Sequence, residues 1–179
     1  MPNVVLNVGG GANPWLPANY LGWQNLVLDI NPETNPHLCM DARNLTNLAP
    51  NQFDAVFCSH NLEHYNIFDL PIVLKGMLHV IKSGGHLVAI VPSIRATFKA
   101  MFQSGDDLDD VFYSSPAGPV TYHDVIYGYS KDIEKNILWQ QHQSGFSLKR
   151  MKTLFEQSGF ERVITQSNGL DLHGLGFKV

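Results

Sequence analysis

The sequence is sparing with charge and with cysteine. Of 179 residues, 12 are Lys or Arg and 16 are Asp or Glu, which leaves a net charge of −4 with the histidines neutral. No run of basic residues occurs, so nucleic acid, whose backbone asks for a basic stripe, is not an expected partner. Only two cysteines are present, Cys39 and Cys58, and neither belongs to a Cys-x-x-Cys pair. Both fall in apolar stretches that read as strand ends, so buried, reduced thiols are expected. No apolar run exceeds the length of a strand, which argues against a transmembrane helix and a membrane partner. The opening MPNVVLNVGGG has no charged n-region and passes straight into a strand, so no signal peptide is expected and a cytoplasmic protein is the default. What remains is an ordinary apolar content of 44%, which argues against disorder. The length suits one domain with a sizeable core.

Short apolar runs alternate with helical patterns. NVVLNV (3–8), LVLDI (26–30), HLCM (37–40), FDAVFCS (53–59) and HLVAIVPS (86–93) read as strands. Between the last two, Leu70, Val73, Leu74, Met77, Leu78 and Ile81 recur at helical spacing, with Pro71 suited to the first turn and Gly84 to the end. SLKRMKTLFEQSGF reads as an amphipathic helix with Ser147 as N-cap and Gly159 past its end. RVITQS and LHGLGFKV follow as two strands joined by a tight turn, a pair that can run antiparallel at one edge. The order predicts an α/β fold: a doubly wound, Rossmann-like sheet of seven strands, mostly parallel, with an antiparallel edge strand and helices on both faces. Residues 94–146 break the rhythm with DDLDD, SSPAGP and TYHDVIYGYS. They are expected to be an insertion in a single domain spanning 1–179. They follow the fifth strand, beside the carboxyl ends where open sheets bind ligands, and serve as a lid over a site or as an interface for a homodimer.

The loop NVGGGANP follows the first strand, and its glycines let backbone approach a ligand. The dinucleotide fingerprint Gly-x-Gly-x-x-Gly stops after Gly-x-Gly, because Pro14 stands where the third glycine belongs. Pro14 and Pro17 leave little room for the long helix whose N-terminus would hold a pyrophosphate. Asp29 closes the second strand, 18 residues after Gly11, where an acid accepts the ribose hydroxyls of a nucleoside. Loop and acid together point to a nucleoside ligand without a phosphate requirement.

Taken in order, LNVGGG, LVLDI, CMDARNL, FDAVFCSHNLEHY, VIKSGGHLVAIVPS and SLKRMKTLFEQSGFERV resemble the motifs of class I S-adenosylmethionine-dependent methyltransferases. The resemblance spans nearly the whole chain. Its nearest flavour is the small methyltransferases associated with sugar and polysaccharide biosynthesis, in which an aromatic segment ending in His-x-x-Gly-Phe, here HQSGF (142–146), precedes the last helix. The resemblance implies that Gly9 and Gly11 face the methionine part of S-adenosylmethionine and that Asp29 binds its ribose. It places Asp41 and Ala42 at the adenine edge, and Ser59 and His60 on the methionine side. Asn7 departs from the acid that many relatives carry there; an amide can still accept a bond from the cofactor ammonium but brings no charge.

HNLEH (60–64) also matches the His-x-x-Glu-His of one group of zinc peptidases. There the five residues lie within a long helix, whereas here a strand runs up to them, so no metal is expected. For methyl transfer, His64 or His142 is the expected general base where the acceptor must lose a proton. The expected reaction is methylation of a small molecule, with a sugar or glycoconjugate precursor as first choice. Two other readings stay open: a nucleoside-binding protein without turnover, and a dinucleotide-dependent oxidoreductase.

Overall fold

The computed structural model describes residues 2–179. Its elements in chain order are β1 (Val4–Val8), β2 (Gln24–Asp29), β3 (Leu38–Cys39), β4 (Phe53–Ser59), α1 (Leu70–Val80), β5 (Ile81–Pro92), α2 (Ile94–Ser104), β6 (Val111–Ser115), β7 (Gly118–Thr121), α3 (Tyr122–Tyr127), α4 (Ser130–Glu134), α5 (Leu148–Gln157), β8 (Glu161–Asn168) and β9 (Asp171–Phe177). Seven strands form one sheet in the order β3-β2-β1-β4-β5-β9-β8. Pairings from β3 through β5 are parallel, and β9 runs antiparallel to both β5 and β8.

The central strands β1 and β4 are covered on both faces, and their residues are apolar almost without interruption, as buried parallel strands require. On one face, Val73, Leu74 and Met77 of α1 and Met151 and Phe155 of α5 join Leu6, Val56, Leu87 and Ala89 in the main core. Glycine makes that contact possible at β9. A Cβ on Gly174 would stand 2.6 Å from Met151 Sδ, and one on Gly176 would stand 2.9 Å from Phe160 Cβ. On the opposite face Val5, Ala55, Phe57 and Ile90 pack under Tyr20, Leu16 and Trp23. These cover residues come from the β1–β2 connection, whose only helical piece is a 3-10 turn at Ala18–Tyr20. The prolines expected to shorten the first helix leave only this single turn.

Several boundaries differ from the sequence reading. Ile81, placed in the helix by periodicity, starts β5 and pairs with Phe53. The register then shifts, because the KSGG segment stays within the strand and Gly85 packs where a Cβ would meet Asp54 O at 2.6 Å. Cys58 is buried, but Cys39 is exposed: β3 is a two-residue edge strand with too little structure over it to cover the thiol.

Residues 94–146 leave the sheet at Ser93 and return at Phe146, and these two form a parallel bridge. Between them lie α2, capped by Ser93 Oγ on Ala96 N, the separate β6–β7 hairpin, and α3. A capping box opens α3: Thr121 accepts from Asp124 N, and Asp124 accepts from Thr121 N. Phe112 stacks on buried Tyr122 at 4.3 Å between ring centroids, so part of the aromatic content is a small core of the segment's own. No helix of the described residues is long and apolar enough to cross a membrane.

Candidate functional site

The carboxyl ends of β1, β2 and β4 open on a cavity of about 280 Å³. Past β1 the chain turns through Gly9 and Gly11, both left-handed at φ 72° and 62°, a region costly for any residue with a Cβ. The Gly9 amide donates to Leu28 O at 2.8 Å, tying the loop to β2. The Gly11 amide donates to Asp29 Oδ2 at 2.9 Å, and the Asn31 amide donates to Asp29 Oδ1 at 2.9 Å. Two backbone donors thus orient the carboxylate, and each oxygen keeps a free lone pair beside the cavity that Asp29 lines. A Cβ on Gly11 would meet nothing within 4 Å, so the space next to the carboxylate is open.

Asp41 lines the same cavity and caps a 3-10 turn at Ala42–Asn47 through Arg43 N. Burial would raise its carboxyl, but hydrogen bonds from Arg43 hold it below the usual range. Arg43 is the one lysine or arginine on the cavity wall, and it bonds Asp41 and Asp69. A pyrophosphate would meet no unengaged cation there. A nucleoside would meet a poised carboxylate, an apolar wall at Leu28 and Met40, and the ring of Tyr65. The residues present fit the nucleoside part of S-adenosylmethionine and fit a dinucleotide poorly.

A second cavity, of about 470 Å³, adjoins the first. Its wall carries Phe112, Tyr113 and Tyr129 from residues 94–146, and Leu170 and Asp171 from the β8–β9 turn. His60, His64 and Gln140 line both cavities and form their boundary.

HNLEH is the hinge of this boundary. It forms no long helix: Leu62–His64 is a single 3-10 turn, so His60 and His64 do not share a helix face as in the peptidases. His60 sits in left-handed backbone at φ 49°, held by its amide on Ile90 O. Its ring lies between Glu63 Oε1 at 3.7 Å and Asp171 Oδ1 at 3.8 Å. Burial would lower this imidazole's pKa, but the two carboxylates hold it above the ordinary value. Glu63 is only 2% exposed, and neither carboxylate oxygen has a hydrogen-bond partner. Burial favours its neutral acid, but the His60 imidazole beside it leads the interactions that outweigh this and hold its pKa below the usual value.

His142 arrives from the return of residues 94–146, edge-to-face with His64 at 4.9 Å between centroids. The amides of Gln143 and Ser144 both donate to Glu63 O, which fixes this meeting. His64 Nδ1 lies 3.2 Å from Gln141 O, and His142 Nδ1 lies 3.0 Å from Val125 O. A carbonyl only accepts, so each Nδ1 carries hydrogen and each neutral ring turns a lone pair out at Nε2. Burial pushes the His142 pKa down, which keeps it in that neutral form.

Gly9, Gly11, Asp29 and Asp41 line the first cavity, and His60 and His64 line both. Three expected cofactor contacts line neither cavity. Asn7 is buried under the loop, with Nδ2 donating to Trp15 O, so it supports the glycine turn. Ala42 is buried in the main core. Ser59 ends β4 with its hydroxyl buried and unpartnered. His142 lines only the second cavity. The sequence reading missed Asn61, which packs so close that a Cβ on Gly9 would stand 2.3 Å from its Nδ2. It also missed Glu63 and Asp171; the Glu inside HNLEH was the available signal for the first.

A family model described as a methyltransferase domain matches residues 1–166. No curated protein matches the sequence. Among solved structures, a SAM-dependent methyltransferase from Archaeoglobus fulgidus superposes with a TM-score of 0.64 at 16% identity, covering 99% of this chain and 86% of its own. A Thermotoga maritima SAM-dependent methyltransferase, described as a possible histamine N-methyltransferase, gives 0.61 at 16% identity, covering 100% and 83%. Human N-acetylserotonin methyltransferase in complex with SAM gives 0.59 at 16% identity; the match covers 98% of this chain but only 47% of that larger enzyme.

Proposed function

The chain belongs to the methyltransferase-domain family, and from that membership we propose that it methylates a small molecule held in the second cavity, using S-adenosylmethionine held in the first. The observation that carries this reading is the shared boundary: His60, His64 and Gln140 belong to both cavities, so two ligands bound side by side would meet there.

Asp29 would take the ribose hydroxyls on the free lone pairs of a carboxylate already oriented by Gly11 and Asn31. Met40, Asp41 and Tyr65 would surround the base, and the turn at Gly9 and Gly11 would lie along the methionine part. The cofactor supplies a methyl group on a sulfonium, already an activated leaving group, so the protein's task is alignment. The chain performs it by joining the β4 turn, the 142–144 segment and the β8–β9 turn around one boundary. Phe112, Tyr113 and Tyr129 beside Asp124 and Asp171 offer ring faces next to hydrogen-bond acceptors, a combination that suits a sugar or glycoconjugate precursor.

The test is calorimetric titration with S-adenosylhomocysteine, followed by transfer of labelled methyl to a panel of sugars, nucleotide sugars, other alcohols and amines. Micromolar binding, about −8 kcal/mol, and label in one acceptor class support the reading. Absence of binding overturns the donor assignment, and binding without label in any acceptor overturns the acceptor assignment.

A further inference from the structure

The boundary between the cavities holds a group that alignment alone leaves unexplained. Glu63 is a carboxylate sealed from water with no hydrogen bond to either oxygen. A buried unpartnered charge costs several kcal/mol unless a cation compensates it. His60 is the nearest basic group, but its ring nitrogen stands 3.7 Å away, beyond hydrogen-bond reach, and that ring is itself shared with Asp171. One ligating atom from each of Glu63, His64 and His142 lies within 4.8 Å of the other two. Two histidines and one carboxylate are the donor set of open-sided sites for divalent first-row metals.

The second observation is independent of that clustering. Ligating histidines characteristically give the other ring N–H to a backbone carbonyl or carboxylate, which fixes the tautomer. His64 on Gln141 O and His142 on Val125 O are both in that arrangement, each leaving Nε2 as the lone-pair donor. We infer that Glu63, His64 and His142 form a binding site for a divalent transition-metal cation, with its open coordination positions toward the second cavity. The pattern differs from the peptidase reading of HNLEH: the ligands are Glu63 and His64 from the motif and His142 from outside it, and His60 stands aside.

The site has a consequence for the acceptor, and that consequence rests on the methyl-transfer reading. A cation whose protein ligands occupy one side takes oxygen on the other and lowers the pKa of a bound hydroxyl. The acceptor is then an oxygen nucleophile, an alcohol with a second oxygen near enough to chelate, and its proton leaves to solvent. His64 and His142 act as ligands in place of the general-base role expected of either one from the sequence.

The experiment uses the full chain, stripped with chelator and titrated separately with Mn²⁺, Zn²⁺ and Co²⁺, with S-adenosylhomocysteine titrated in parallel. One equivalent of metal per chain is expected, with a Co²⁺ visible spectrum that signals nitrogen and oxygen ligation. Glu63→Gln and His142→Asn are each expected to lose at least about 100-fold in metal affinity, the upper end of what loss of even an outer partner costs. His123→Ala, away from both cavities, should bind as the unaltered chain does. A rise in melting temperature on adding metal to the unaltered chain gives the same answer without variants, should a variant fail to fold. No stoichiometric binding and no thermal shift, or binding unchanged in both folded variants, overturns the site. S-adenosylhomocysteine binding without metal binding overturns the site alone, and metal binding without S-adenosylhomocysteine binding overturns the methyl-transfer reading alone.

Discussion

The Gly11 amide and Asp29 Oδ2 are joined at 2.9 Å, so the glycine loop and the acid at the end of β2 form one unit. Asp29→Asn keeps the size but cannot accept from both Gly11 and Asn31, since one amide end only donates. Affinity for S-adenosylhomocysteine should fall roughly 10- to 100-fold, the effect of losing one charged hydrogen bond of about 1.5–3 kcal/mol. Calorimetry measures it, and an unchanged affinity would remove Asp29 from the ribose site.

Gly9→Ala tests the loop from the other side. The added Cβ would lie 2.3 Å from Asn61 Nδ2, in backbone at φ 72°. The left-handed conformation alone costs roughly 1–2 kcal/mol in a residue with a Cβ, and the collision adds to it. We expect a lower melting temperature and weaker cofactor binding. Adding Asn61→Ala removes Nδ2 and Cγ but leaves Asn61 Cβ 2.8 Å away, so it should restore only part of the loss due to collision, which a double-mutant cycle measures.

Stability should depend on pH through His86. Burial holds its pKa below the ordinary 6.5, and Tyr20 Oη lies 3.0 Å from Nε2. As pH falls below 6.5, the unfolded chain binds this proton before the folded chain does, so acid weakens the fold down to the folded-state pKa. Melting curves from about pH 7.5 to about 5.5 should fall more steeply for the unaltered chain than for His86→Gln. Parallel slopes would remove His86 as a contributor.

The α5 contact with β9 should be the costliest to empty. Phe155 is fully buried against the glycines of β9. Phe155→Ala should cost about 3–5 kcal/mol, the range for a large aromatic removed from a packed core. Denaturant unfolding measures it. A loss below about 1 kcal/mol would mean that α5 collapses onto the sheet and closes the space.

Parts of this molecule were legible because their cause is local. β1 and β4 announce themselves as nearly continuous apolar runs, broken only by Asn7 in β1 and by Asp54 and Ser59 in β4, and Asp29 and Gly11 sit at a spacing with a chemical meaning. Ile81 misled because both α1 and β5 want an apolar residue, and only its pairing with Phe53 decides between them. Cys39 misled because an apolar setting in sequence says nothing of an edge strand's exposure. His64 and His142 were both expected near the reacting centre, but the contact between their rings was out of reach. His64 finds Gln141 across 77 residues of chain, and no periodicity reports that return.

The reversed direction of β9 settles how this protein can change. A parallel strand would bring its last residue to the ligand end of the sheet, followed by a long crossover. β9 instead brings its first, Asp171, directly after a hairpin tip at Gly169 and Leu170. Tips of this kind tolerate insertion and replacement, since few backbone bonds depend on them. The wall that Leu170 and Asp171 give to the second cavity can therefore drift in length and chemistry while the loop around Asp29, on the far side of β1, stays as it is. Divergence among descendants of this chain should accumulate on the acceptor side first.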